Sequence, residues 1–181
     1  MKISTIKENL KTFRLLGQTG GYTLLELLLY ISLYSIIMMS IMGLLLTLLQ
    51  VRIKSRTVAE VDQQGIQIMQ SITQAIRNSD NINSPLVGAS ADALSLDMPE
   101  ATLDPTVFDL SNGTARITEA ANAPVVLSNS LVTVSDVTFT NLSRPQTPGN
   151  IRVQFIITYI NNAGRNEYDY SKTFTGNASL R

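Results

Sequence analysis

The sequence predicts an α+β fold, a long N-terminal helix packed on an antiparallel β-sheet. Three observations carry that expectation. From Leu27 to Val51 there are 25 consecutive residues without a charge, more than the roughly 20 that a helix needs to cross a hydrocarbon core. Apolar and small residues then recur at Val58, Val61, Gly65, Ile68/Met69, Ile72 and Ile76, steps of three and four that line one face of a helix. After about residue 81 the pattern changes to β-branched alternation punctuated by Gly, Pro and Asn, the signature of short strands.

The chain has 181 residues, enough for one modest domain with an appended segment. It contains no Cys, His or Trp. That removes disulfides, thiol nucleophiles, His-dependent catalytic arrangements and the usual zinc ligands. Charge is balanced at 14 basic against 14 acidic residues, so no basic footprint for nucleic acid is present.

Residues 1–21 form a basic leader, with Lys2, Lys7, Lys11 and Arg14 against Glu8, ending in Gly20-Gly21. A secretory signal would place its small residues after the apolar run; here they precede it. Residues 22–51 are the membrane-spanning half of the helix, and residues 52–80 its amphipathic half. Glu60, Asp62, Gln63, Gln67, Gln70, Gln74 and Arg77 lie on the polar face. A stop at Asn78-Ser79-Asp80-Asn81 gives one helix from Tyr22 to Asn78, about 85 Å long. Arg52, Lys54 and Arg56 follow the span as closely as the leader's basic residues precede it, so charge counting leaves its orientation tied.

Residues 81–181 should form a β-rich region that folds as one unit with residues 52–80. The candidate strands are Ala93–Met98, Thr114–Glu119, Val125–Leu127, Val132–Leu142, Ile151–Ile160 and Glu167–Phe174, with a bulge or bend near Asp136. Asn161–Asn166 closes the last hairpin, while Val87–Asp92 and Glu100–Asp109 read as loops.

The most informative string is Gly20-Gly21-Tyr22-Thr23-Leu24-Leu25-Glu26-Leu27-Leu28. A carboxylate at the head of a span is costly in hydrocarbon and either faces a protein partner or snorkels to water. The string resembles the class III leader and N-terminal helix of type IV prepilins and pseudopilins, over about residues 14–52. The amphipathic half, VDQQGIQIMQSITQAIRNSD, is similar to minor pilins or pseudopilins of the J or W type.

The resemblance implies a pilin-like fold and a non-enzymatic structural subunit of a type IV pilus or a related secretion or competence pseudopilus. It implies cleavage between Gly21 and Tyr22 by a prepilin peptidase in the cytoplasmic membrane, N-methylation of Tyr22 by the same enzyme, and assembly with other pilin or pseudopilin subunits through inner-membrane machinery. It also orients the span, with the leader in the cytoplasm and the β domain outside. Glu26 would then neutralise a neighbouring subunit's amino terminus, since an unpaired charge in that low-dielectric setting is expensive. No cofactor is implied. Two positions depart from the pattern: Tyr22 stands where Phe is commoner, and Gly43 where major pilins carry Pro. Gly43 weakens a helix by about 1 kcal/mol relative to Ala and is a point of flexibility; Ser32, Ser40, Gly43 and Thr47 share one side.

The alternative is a single-span anchored protein whose outer β domain binds a ligand or partner, the Gly21–Glu26 string being coincidental. Asp97, Glu100, Asp104 and Asp109 offer oxygen ligands of the kind calcium takes, but their spacing fits no EF-hand, and no metal site is expected. Asn112, Asn141 and Asn177 head glycosylation-type triplets, which have no role in a bacterial chain. Tyr159, Tyr168 and Tyr170 read as half-buried packing near the last hairpin.

Overall fold

The computed structural model describes residues 21–181; the rest of the expected leader, residues 1–20, lies outside the described residues. One helix, α1 (Leu24–Asn78), runs for 55 residues. It is followed by β1 (Asn81–Ser84), β2 (Ser90–Ala91), β3 (Leu94–Asp97), β4 (Thr106–Ser111), β5 (Thr114–Glu119), β6 (Val125–Val126), β7 (Val132–Asn141), β8 (Asn150–Tyr159) and β9 (Ser171–Ser179). The chain divides into two compact units, Met1–Thr47 and Leu48–Arg181.

In the first unit the described residues are the start of α1, whose large apolar side chains are all exposed. Its 18-residue apolar window is entirely unburied, and the helix is long and apolar enough to cross a membrane. The hydroxyls of Ser32, Ser35 and Thr47 donate to the carbonyls of Leu29, Ile31 and Gly43, so these polar groups are satisfied inside the helix and expose no unpaired donor. The helix is continuous through Gly43, where an added Cβ would meet nothing within 4 Å.

In the second unit the buried positions of α1 are Thr57, Val61, Gln64, Gly65, Ile68, Ile72 and Ile76. Val61, Ile68, Ile72 and Ile76 join one core cluster with Leu94, Leu96 and Phe108 from β3 and β4, and with Val132, Val134, Phe139, Ile151, Val153, Phe155 and Ile157 from β7 and β8. The close approach of helix and sheet depends on Gly65. Its missing Cβ leaves room for the Phe174 ring, which stacks on Phe155 with centroids 5.5 Å apart.

The strands form two antiparallel sheets where one was expected, in the orders β1-β3-β4-β5-β6 and β2-β7-β8-β9. The division follows from the shortness of β2, which covers only Phe139 and Thr140 of β7. The rest of that edge of β7 meets the first sheet through a single ladder-type bond, Val134 N–H to Gly113 O at 2.8 Å. The irregularity anticipated near Asp136 is present, as a register shift between Ser135 and Thr138 with Asp136 at φ 51°.

Three expectations need correction. The Glu100–Asp109 stretch is not all loop, because Thr106–Ser111 is a strand paired over its full length with β5. Within Val87–Asp92, Ser90 and Ala91 pair with β7. The last strand is Ser171–Ser179, four residues later than predicted, and Glu167 sits in a short 3-10 turn, Asn166–Tyr168. In the helix, Gln64 is buried and accepts from Asn129 N–H at 3.2 Å. Glu60 accepts from Asn129 Nδ2, and Asp62 accepts from Lys172 Nζ at 2.8 Å. Part of the expected polar face therefore fastens the helix to the β region. Asp62 raises the pKa of Lys172 through that hydrogen bond, so the pair survives any ordinary rise in pH.

Candidate functional site

The candidate site is the first two turns of α1, where the predicted cleavage position and the predicted assembly residue lie together. Gly21 and Tyr22 precede the helix and are exposed. Thr23 caps it: its Oγ1 accepts from Glu26 N–H at 3.2 Å and its carbonyl accepts from Leu27 N–H at 3.1 Å. The first bond satisfies one of the donors that every helix start leaves open, and the second is the helix's own first backbone bond.

Glu26 occupies the third helical position and is half-buried. Its carboxylate faces the positive end of the helix dipole and accepts a hydrogen bond from the Tyr30 hydroxyl at 3.2 Å. The Tyr30 ring meets Tyr22 edge-on, with centroids 6.0 Å apart and planes at 83°. Tyr22, Glu26 and Tyr30, four residues apart on one face, thus form a small amphipathic cluster in which a carboxylate is oriented and, among the described residues, makes no ion pair. The carboxylate has acceptor capacity beyond the one bond it receives, so it can take a cation from outside the chain.

Thr23 and Tyr30 were not singled out from the sequence. Both signals were available, the first as the Thr-x-x-Glu spacing of a capping box and the second as a Glu-Tyr pair one turn apart.

The other candidates resolve differently. Asp109 forms a two-pronged pair with Arg116, at 3.0 and 2.5 Å, which raises the guanidinium's pKa and occupies both carboxylate oxygens. Asp104 accepts from Met98 N–H and Glu100 from the Thr102 hydroxyl. Among the described residues no three of His, Cys, Asp or Glu gather as a metal-binding group. Tyr159 and Tyr168 stack at 5.8 Å, and Lys54 lies 5.6 Å from the Tyr170 ring while donating to the Asp169 carbonyl at 2.6 Å. Asn141 is 2% exposed and donates to the Pro85 carbonyl, so its side chain is structural.

Comparison with protein-family models, with curated proteins and with solved structures found no match to this chain.

Proposed function

We propose that this chain is a minor pilin or pseudopilin, inserted in the bacterial cytoplasmic membrane by the apolar part of α1 and assembled into a type IV pilus or a related pseudopilus after loss of residues 1–21. The observation that supports it most is the order of parts at the helix start: a basic segment, Gly20-Gly21, an exposed Tyr22, a capped helix and a single oriented carboxylate at Glu26 heading an apolar run. In this reading the protein is a structural subunit and catalyses nothing. Its partners are the peptidase and methyltransferase that process it, the inner-membrane assembly machinery and the neighbouring subunits.

Each part has a physical role. Gly21 offers no Cβ to a peptidase cleft. Cleavage converts the Tyr22 amide into an amine with an ordinary pKa of about 7.7–8.0. That cation is the counter-charge for Glu26 of a neighbouring subunit at the same depth. Cleavage removes four basic and one acidic side chain, leaving 160 residues with a side-chain charge of −3. Sequencing the amino terminus of the protein from its native host tests the reading. A chain beginning at N-methylated Tyr22 is expected, and one beginning at Met1 would overturn the proposal in favour of a permanently anchored protein.

Glu26→Gln separates charge from structure, because the amide still accepts from Tyr30 while the negative charge is gone. Insertion and cleavage should proceed normally. Co-purification with the other subunits, measured at equal membrane levels, should fall about tenfold or more, as a buried cation loses its partner. Equal recovery would remove Glu26 from the assembly contact.

A further inference from the structure

The outer edge of β9 is a long, unprotected template for another strand. Tyr159 N–H bonds to the Tyr170 carbonyl just before β9, and Leu180 N–H bonds to the Gly149 carbonyl just after it. The register between them is unbroken, from Thr158↔Ser171 to Asn150↔Ser179. In such an antiparallel ladder alternate residues turn their backbone groups inward. Lys172, Phe174, Gly176 and Ala178 therefore bond to β8, and Ser171, Thr173, Thr175, Asn177 and Ser179 turn theirs outward. All five of these are exposed, and among the described residues their backbone groups have no partner.

Edges of this kind are normally blunted by proline, by a bulge, by a charged side chain pointing inward or by a covering element. Over Ser171–Ser179 there is no proline and no register shift. The one charge, Lys172, is held by Asp62. One flank of α1 lies beside this strand. Asp62 contacts Lys172 of β9, and Met69 lies against Gly176, so the flank of α1 that carries Asp62, Ile66, Met69 and Thr73 borders β9. Ile66 on this flank is 53% exposed. The flank ends in a cleft of about 490 Å³ that includes Met69, Thr73, Arg77 and Arg181. Arg77 is exposed and makes no ion pair among the described residues.

We infer that the outer edge of β9 receives an extended segment of a second, different polypeptide, added to the sheet as a strand, apolar on the side facing Ile66 and Met69 and acidic opposite Arg77. Backbone bonds to the five outward residues supply affinity, and the side-chain pattern supplies selectivity. A second copy of β9 is a poor occupant, because Ser171–Ser179 contains no carboxylate to meet Arg77. The inference is independent of leader cleavage and of the role of Glu26.

The test uses the full chain in its native host, with a photoreactive phenylalanine analogue placed in turn at Thr173, Thr175 and Asn177. The attachment sites should fall on one contiguous segment of another protein and step along it by two residues from each probe to the next, since neighbouring strands hold a fixed register. With the probe at Thr173, Thr175→Pro removes an outward N–H without touching the bonds to β8, and the yield should drop about tenfold or more. Arg77→Glu leaves the strand unaltered and should drop it as well, which keeps the test valid if the proline variant misfolds. Attachment to a second copy of this chain, scattered or absent attachment, or an Arg77→Glu yield equal to wild type would overturn the inference.

Discussion

Ile72→Asp is expected to destabilise by several kcal/mol a chain beginning at Arg52, in which the wild type should be soluble, folded and without hydrolytic activity. Ile72 is 3% exposed and lines a residual void of about 10 Å³ with Ile68, Phe108, Val134, Phe139 and Phe155. That space is too small to hydrate a carboxylate. The only charges at its margin are Asp109 and Arg116, and each already satisfies the other. Losing the isoleucine costs about 2–5 kcal/mol, and burying the carboxyl adds about 1–3 kcal/mol. Together these remove about 3–8 kcal/mol from a total stability of about 5–15 kcal/mol, a large fraction of it. Ile72→Val should cost only about 0.5–1.5 kcal/mol. Because burial favours the neutral carboxyl, the deficit of the Asp variant relative to wild type should narrow as pH falls. Urea unfolding at two pH values measures both effects, and an Asp variant as stable as wild type would mean that the stripe is not docked as described.

Gly21→Leu is expected to leave the chain uncleaved in the membrane of its host. Among the described residues an added Cβ at Gly21 meets nothing within 4 Å, so the substitution has no reason to disturb α1 or anything beyond it. Its effect is confined to whatever must bind that backbone from outside. A side chain that displaces a scissile bond by about 1 Å costs on the order of a hundredfold in rate. The intact mass of the membrane-bound protein gives the answer directly. Cleavage at the wild-type rate would show that Gly21 does not enter a restrictive cleft, and would weaken the pilin reading at its strongest point.

The long periodic features were legible. The helix was placed within two residues at its start and correctly at its end, because a charge-free run and a three-four repeat persist over several turns. The strands β5, β7 and β8 were also visible from their β-branched residues, and β3 from the alternation of Leu94 and Leu96 with polar neighbours. By contrast, β4 was obscured by its acidic residues, Asp104 just before it and Asp109 within it, although Asn112-Gly113 was a hairpin signal. Those two residues take φ values of 50° and 75°, the left-handed pair that a tight two-residue turn requires. Gly113 is doubly constrained, because a Cβ there would lie 2.7 Å from Thr133 Cγ2.

The tyrosines at 168 and 170 drew the last strand four residues too early. Its true sequence is dominated by Ser, Thr, Gly and Asn, and the ladder to β8 makes it a strand where intrinsic preference does not. The separation into two sheets depends on which strands run out of partners, a tertiary matter that alternation does not encode. At the candidate site, Gly21, Tyr22 and Glu26 were chosen by residue type and order. The Thr23 cap and the Tyr30 hydroxyl on Glu26 became visible only with the helix built.

The two bonds that tie α1 to the last hairpin, Lys54 to Asp169 and Asp62 to Lys172, join residues 115 and 110 positions apart. Such separations set an order of events. At about 5–20 residues per second, roughly 5–20 s of synthesis pass between the emergence of Ile76 and that of Ser179. The apolar run can partition into lipid during that time, while the stripe from Val61 to Ile76 still has nothing to cover it. Pairing of β8 with β9 comes last and is non-local, so it belongs to the slow end of folding. On the proposed reading the protein acquires its anchor before its fold, and any factor that shields an apolar helical stripe during that interval acts on a chain whose β region does not yet exist.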